Sequence, residues 1–163
     1  WRPGMKTQEP PRIRLDRKAG TLAVSTPLTE TATLPAGDLA VKKLRVKDAS
    51  KFMTAAAISL DGRPLTESDS ILVIHLSNIS QSGAGYGSST LLRAWGNSPE
   101  LLVERCTATL ELECPGTPWR VAALALDGSE TGEVPASLKN GVFRFTADTT
   151  AFPGGVLAYH LSR

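Results

Sequence analysis

The sequence is poor in the residue types from which catalytic and metal centres are built. Its 163 residues include two histidines, His75 and His160, and two cysteines, Cys106 and Cys114. These four do not occur at the close paired spacing of zinc ligands. The glycine-rich run at residues 83–87 lacks the lysine of a phosphate-binding loop, and no serine-hydrolase elbow is present. We therefore predict neither a catalytic nor a metal site. His75 is predicted to be a hydrogen-bonded core residue, and neither histidine has a recognisable catalytic partner.

The two cysteines are also poorly placed for a disulfide. The segment between them alternates as a strand does, which puts the two sulfur atoms roughly 26 Å apart at ~3.3 Å per residue. A disulfide requires Cα atoms within about 7 Å of each other. The spacing therefore predicts free thiols at Cys106 and Cys114.

Strong charge of either sign and long apolar runs are absent too. A net charge of +2, with 21% charged residues, is typical of a globular domain and argues against a nucleic-acid partner. No apolar run approaches the roughly 18 residues of a membrane helix, and no signal peptide is recognisable, so we predict no membrane partner. Because the first residue is Trp1 and not methionine, we expect a processed product or a piece of a longer polypeptide.

No segment shows the periodicity of a helix of useful length, and strand patterns fill the chain instead. The longest apolar run, residues 71–78, does not alternate, which predicts a central strand buried on both faces. Shorter alternating runs lie around it, including one predicted strand at residues 39–47. Asp-Gly or Asn-Gly pairs at residues 61–62, 127–128 and 140–141 indicate type I′ hairpin turns.

About ten such strands, with glycine or proline at most joints, predict an all-β fold. We expect an antiparallel β-sandwich of the jelly-roll or immunoglobulin-like kind, or a related barrel. Residues 1–11 contain three prolines and are predicted to be a connector to an upstream region. Residues 12–163 are predicted to form the single sandwich domain.

Two sets of acidic residues are candidates for a site. Glu111 and Glu113 share one face of a predicted strand at a separation of about 6 to 7 Å, within the range of glycosidase carboxyl pairs. Neighbouring outward glutamates are usually the solvent-facing side of a strand, so a stand-alone glycosidase using this pair is a minor alternative. Asp61, Asp127 and Asp148 lie at predicted turns, where their oxygens would suit a structural calcium ion.

Aromatic residues make up only 6% of the chain, so the position of each is informative. The candidates for stacking against a sugar ring are Trp1, Tyr86, Trp95, Trp119 and Tyr159. Such stacking places the apolar C–H face of the sugar on the π-system of the aromatic ring. The alternative for Trp95 and Trp119 is a place in the core. In the loop that contains Tyr86, Gln81 and the serines would add hydrogen bonds to a polar ligand, or the loop is only a surface turn.

Five stretches carry a family resemblance. They are residues 14–22 (RLDRKAGTL), 57–68 (AISLDGRPLTES), 71–78 (ILVIHLSN), 91–96 (LLRAWG) and 101–105 (LLVER). Together they resemble the C-terminal β-sandwich region that follows the catalytic barrel in certain large bacterial glycoside hydrolases. The likeness covers most of the chain from about residue 12 onward, in whole-domain pattern and not in a diagnostic motif. That family's catalytic carboxylates lie in the barrel, so the resemblance assigns no catalytic residue here.

The resemblance implies a non-catalytic accessory module of a secreted or cell-surface polysaccharide-degrading enzyme. In one hypothesis the module resembles a carbohydrate-binding module and holds a polysaccharide or oligosaccharide through Trp95, Trp119, Tyr86 and Gln81, which keeps the catalytic domain of the parent chain near its substrate. In the other it binds no ligand and packs on the catalytic barrel. A binder should expose aromatic rings beside polar groups in a groove, whereas a structural module should expose an aliphatic patch of several hundred Å².

Overall fold

A computed structural model describes residues 12–88, 92–96, 100–113 and 119–163. Every regular element within these residues is a β-strand, and the predicted all-β, antiparallel fold is confirmed. The strands are β1 Arg12–Asp16, β2 Thr21–Ser25, β3 Thr29–Leu34, β4 Gly37–Ala40, β5 Leu44–Ala49, β6 Met53–Ser59, β7 Ser70–Leu76, β8 Ile79–Gln81, β9 Gly85–Tyr86, β10 Leu92–Ala94, β11 Leu101–Val103, β12 Thr107–Glu113, β13 Arg120–Leu124, β14 Glu130–Glu133, β15 Ala136–Lys139, β16 Val142–Asp148 and β17 Ala158–Ser162. In the described part of the chain, no helix has the length and apolar character to cross a membrane.

Two large antiparallel sheets form the body of the fold. One has eight strands in the order β1-β2-β3-β6-β7-β17-β13-β14, and the other has five in the order β15-β16-β12-β5-β4. Alternate residues of both sheets point into one apolar core, as expected when one face of each sheet is buried against the other. Two small sheets, β8 with β11 and β9 with β10, pair with neither large sheet.

Aromatic rings bridge the two large sheets in the core. Phe145 of the five-stranded sheet meets Tyr159 of the eight-stranded sheet edge-on, with ring centroids 5.1 Å apart. The phenol oxygen of Tyr159 accepts a hydrogen bond from the backbone N–H of Asp148 at 3.0 Å. Burial raises the pKa of this phenol to about 12. Tyr159 therefore joins the two sheets both through the packing of its ring and through the hydrogen bond of its hydroxyl group.

The central strand differs from its predicted burial on both faces. In β7, Ile71, Val73 and His75 point into the core, whereas Leu72 and Ile74 on the other face are only half-buried. The prediction of burial on both faces is therefore wrong. An apolar residue on the outer face of a sheet is not by itself evidence of a covering layer.

The predicted strand at residues 39–47 is instead a hairpin. β4 and β5 pair antiparallel, and the backbone N–H of Val41 donates to the carbonyl of Leu44 at 2.9 Å to close the turn. The turn is held by the buried carboxylate of Glu30, which accepts hydrogen bonds from backbone N–H groups at the start of β5. Apolar and polar residues continue to alternate across this turn. The sequence pattern alone therefore did not reveal that the chain reverses direction there.

Only one of the three predicted type I′ turns is confirmed. Asn140 and Gly141 both have positive φ, 53° and 73°, as this turn requires. At residues 61–62 and 127–128 only the glycine has positive φ, so those two predictions are wrong. There the aspartate carboxylate instead accepts a hydrogen bond from the backbone N–H two residues on, which is an Asx-turn.

Several predictions fall outside the described residues. They are the connector at residues 1–11, the stacking role of Trp1 and the thiol of Cys114. Cys106 is described, and its thiol is free and buried, as predicted.

Candidate functional site

The chain between β7 and β12 leaves the two large sheets and forms a separate pair of hairpins. In the first hairpin β8 pairs with β11, with Gln81 opposite Leu101. In the second, β9 pairs with β10, with Tyr86 opposite Leu92. At the base, the backbone N–H of Glu104 donates to the carbonyl oxygen of residue 78 at 2.8 Å. The segment is therefore held together by its own backbone hydrogen bonds and is connected to the two large sheets at both of its ends.

These two hairpins enclose an open cleft of about 410 Å³. Its lining residues are Ile79, Ser80, Gln81, Ala84, Tyr86, Leu92, Trp95 and Leu101. Three residues singled out from the sequence, Gln81, Tyr86 and Trp95, thus lie together in one cleft. The side chain of Trp95 is 79% exposed and that of Tyr86 is 51% exposed, so both rings are accessible to a ligand.

Close backbone approaches explain why this part of the sequence is rich in glycine. A Cβ atom at Gly96 would overlap the carbonyl oxygen of Ser82, so only glycine permits the chain after Trp95 to lie against the turn between β8 and β9. A Cβ atom at Gly87 would meet only the flexible side chain of Arg93, which can move aside. Gly96 therefore brings the two hairpins together, which places the rings of Tyr86 and Trp95 on the same cleft.

Among the described residues, the lining is apolar and aromatic with two neutral polar side chains, Ser80 and Gln81, and includes no charged residue. Leu101 and Ile79 are 66% and 45% exposed, which adds an aliphatic border to the aromatic rings. The lining residues include no carboxylate, imidazole or thiol, so they supply no general acid, general base or nucleophile. The cleft is suited to stacking and hydrogen bonding.

No protein-family model, curated protein or solved structure gives a significant match to this chain. The functional argument therefore depends on the chemistry of the cleft.

Trp119 does not belong to this surface, which corrects its predicted place among the stacking residues. Its side chain is 6% exposed and packs against Phe143, with ring centroids 6.4 Å apart. The guanidinium of Arg163 lies 4.6 Å from the ring centroid, an arrangement typical of a cation–π contact. Tyr159, the remaining stacking candidate among the described residues, is fully buried between the sheets.

Glu111 and Glu113 form part of an ion-pair ladder on the outer face of the five-stranded sheet. The carboxylate of Glu111 is bound by Arg144 on one neighbouring strand, and that of Glu113 by Arg45 on the other. In both cases the bonding atoms belong to residues on paired strands. Because both carboxylates are taken up by arginines, this geometry favours cross-strand stabilisation over acid–base chemistry.

The three aspartates considered for calcium lie at three separate turns, where they accept local hydrogen bonds. Asp61 accepts one from the backbone N–H of Asp69 at 2.8 Å, which lowers its pKa. Asp127 accepts hydrogen bonds from the hydroxyl and the backbone N–H of Ser129, which likewise lower its pKa. The carboxylate of Asp148 likewise accepts a hydrogen bond from a backbone N–H of its own turn. No group of three potential ligand side chains forms within the described ranges.

The two histidines differ from their sequence-based descriptions. The Nε2 atom of His160 lies 2.8 Å from the hydroxyl oxygen of Ser70, so this residue has a hydrogen-bond partner that the sequence did not reveal. His75 is fully buried, yet neither ring nitrogen has a hydrogen-bond partner in the structure. The prediction of a hydrogen-bonded core histidine is therefore wrong. Burial holds the pKa of His75 down at about 4, against a smaller opposing effect of the Asp148 carboxylate.

The sequence analysis did not identify the aliphatic part of the cleft. Ile79, Leu92 and Leu101 all line the cleft, and the sequence analysis singled out none of them for a site. The available signal was their position on either side of a glycine-rich turn next to two aromatic residues.

Proposed function

We propose that this chain is a non-catalytic accessory module of a secreted polysaccharide-degrading glycoside hydrolase, and that it binds carbohydrate in the cleft between the two hairpins. The observation that carries the proposal is that Tyr86, Trp95 and Gln81 line one open cleft. Two exposed rings provide stacking surfaces, and the neighbouring amide and hydroxyl groups are suited to sugar hydroxyls.

The energetics fit an accessory role. An aromatic stacking contact contributes about 0.5 to 1.5 kcal/mol beyond the area it buries, so two rings with a few hydrogen bonds give modest affinity. Modest affinity is sufficient when the binding site is linked to a catalytic domain, because linkage raises the local concentration of the enzyme at the polymer.

The charge of the cleft indicates the class of glycan. The lining residues that the structure describes include no arginine or lysine to pair with a carboxylate or sulfate, and recognition of such groups generally uses charge-assisted hydrogen bonds. We therefore infer a neutral polysaccharide, such as a xylan, mannan, mixed-linkage glucan or galactan. Polymers of uronic acids, which carry carboxylates, are the contrasting class that this cleft is not expected to bind.

The test is calorimetric titration of the protein against these four neutral polysaccharides and against polygalacturonate. Saturable binding to a neutral polymer is expected, with about a tenfold or greater loss of affinity in Trp95→Ala and in Tyr86→Ala, as expected for the loss of a stacking contact of roughly 1.4 kcal/mol.

Leu126→Ala is the matched control, because the Leu126 side chain is exposed to the same 79% as that of Trp95 but lies between β13 and β14. This variant should bind as the unaltered protein does. Flat titrations across the whole panel would overturn the proposal and favour the role of a module that only packs on a neighbouring domain. Equal loss in all three variants would show that the cleft is not the binding site.

A further inference from the structure

The outer faces of the two large sheets have opposite chemical character. On the five-stranded sheet, charged side chains from neighbouring strands pair across the surface: Arg45 with Glu113, Lys47 with Asp38, and Arg144 with Glu111. Such ladders are typical of a sheet face that remains in water. This face accounts for much of the charge that the two sheets carry.

The outer face of the eight-stranded sheet is almost free of charge from β1 to β13. The outward side chains of these strands are Ile13, Leu15, Leu22, Val24, Thr29, Thr31, Thr33, Thr54, Ala56, Ile58, Ser70, Leu72, Ile74, Leu76, Ala158, His160, Ser162, Arg120, Ala122 and Leu124. We call this set the uncharged face. Its single arginine, Arg120, lies at the border and is bound by Glu130 at 2.6 Å.

The uncharged face is exposed to solvent on β1 and at the end of β7, whereas Ala122 on β13 is buried. Ile13, Leu15 and Leu76 are 70%, 60% and 41% exposed. Leu72 and Ile74, in the middle of the sheet, are half-buried, with residues of adjacent strands on either side of them. A sheet face that is meant for water normally alternates with polar or charged residues. This face is uncharged and exposes aliphatic side chains on β1 and β7, with the threonines of β3 between them, which makes it a candidate interaction site.

We propose that the uncharged face is an interface with a second copy of this chain. In a two-fold dimer the same patch of both copies meets itself, so the patch has to be self-complementary. A patch with a strong charge of one sign would repel its copy, whereas an uncharged one does not. The border arginine is already neutralised within its own chain, so it adds no repulsion.

The size of the face is sufficient for such an interface. Seven strands from β1 to β13, spaced by ~4.8 Å and about five residues long at ~3.3 Å each, project an area on the order of 500 Å². The accessible surface of a pleated sheet exceeds its projection, and stable interfaces begin at about 1,200 Å² summed over both partners. Two uncharged faces therefore reach the lower part of that range. Twisted sheets pack in this way at about 10 Å, with strands inclined by about 30°.

The test is the mass in solution, measured by sedimentation equilibrium over a concentration series that spans the micromolar range. We expect the mass to rise with concentration from the 17.3 kDa of one chain towards twice that value. Ile74→Lys places a charge at the centre of the face in both copies. The dissociation constant of the dimer should therefore rise about a hundredfold. Ile13→Lys, at a side chain too exposed to affect folding, should weaken the dimer about tenfold.

Thr146→Lys is the matched control, since Thr146 is an exposed threonine on the outer face of the five-stranded sheet, and this variant should dimerise normally. Circular dichroism and a thermal melt of each variant separate loss of the dimer from loss of the fold. A mass of one chain at every concentration would overturn the proposal. A dimer that persists in both Ile13→Lys and Ile74→Lys would overturn it equally, because the interface would then lie elsewhere.

Discussion

The carboxylate of Glu30, on the eight-stranded sheet, accepts a hydrogen bond at 2.8 Å from the backbone N–H of Leu44, on the five-stranded sheet. The same oxygen accepts from the backbone N–H groups of Lys42 and Lys43. The other oxygen accepts from the hydroxyl of Ser25 at 3.0 Å. A fully buried carboxylate is tolerated here because four donors surround it, and it joins the two sheets at the start of β5.

Replacing Glu30 by alanine should therefore destabilise the fold strongly. The substitution leaves the buried N–H of Leu44 without its acceptor and removes the link between the sheets, so we expect a loss of about 2 to 4 kcal/mol in the free energy of unfolding. Urea denaturation followed by circular dichroism measures it. Glu133→Ala, at an exposed position on β14, serves as the control, and an equally stable Glu30→Ala variant would show that the tie contributes nothing.

Two tryptophans that look equivalent in the sequence should respond in opposite ways to truncation. Trp119→Ala removes a buried ring that packs on Phe143, and we expect a loss of about 3 to 5 kcal/mol in stability. Trp95→Ala removes an exposed ring and should leave the unfolding midpoint unchanged while it abolishes stacking in the cleft. Thermal melts of both variants test the contrast, and a marked destabilisation by Trp95→Ala would show that this ring supports the hairpins.

Local pattern was enough to predict strands and antiparallel pairing, because alternation and turn residues act over a few positions. It was not enough at two places where distant residues decide. The hairpin of β4 and β5 depends on Glu30, which lies well before it in the chain. The exposure of Ile74 depends on what covers the sheet and not on the apolarity of its own strand.

The candidate site shows the same division. Tyr86, Trp95 and Gln81 were identifiable as accessible polar or aromatic residues near glycines, but their convergence on one cleft follows from the pairing of two hairpins. Trp119 has the same residue type and no local mark of its burial. Only its contact with a ring of the opposite sheet distinguishes it.

Gly96 should be required for the shape of the cleft and not for the stability of the body. A Cβ atom there would collide with the carbonyl of Ser82, which is backbone and has little freedom to move. We expect Gly96→Ala to weaken polysaccharide binding about tenfold or more, with the urea midpoint unchanged. Gly128→Ala is the contrasting variant outside the cleft: a Cβ atom there would meet no neighbour but would sit at a positive φ of 85°, so this change should lower the urea midpoint and leave binding unaltered.

His75 should make the protein sensitive to mild acid. Its pKa is about 4 in the folded chain, held down by burial, against 6.5 for an ordinary histidine. The unfolded chain therefore takes up the proton first as the pH falls. The stability that neutral His75 provides is complete above pH 6.5 and is lost progressively down to about pH 4, with a total of about 3 kcal/mol. Urea denaturation at intervals between these two pH values measures the loss.

The chain offers a clear comparison for this effect, because His160 is its other histidine. His75→Leu should flatten the dependence of unfolding free energy on pH between 6.5 and 4 without loss of stability at pH 7, since the ring nitrogens of His75 make no hydrogen bond that the change would break. His160→Gln should leave the slope in place. A slope that survives His75→Leu would assign the acid sensitivity to other groups. The aspartates with lowered pKa values, such as Asp61 and Asp127, are distinguishable because their contribution is lost mainly below pH 4, where aspartates of the unfolded chain become protonated.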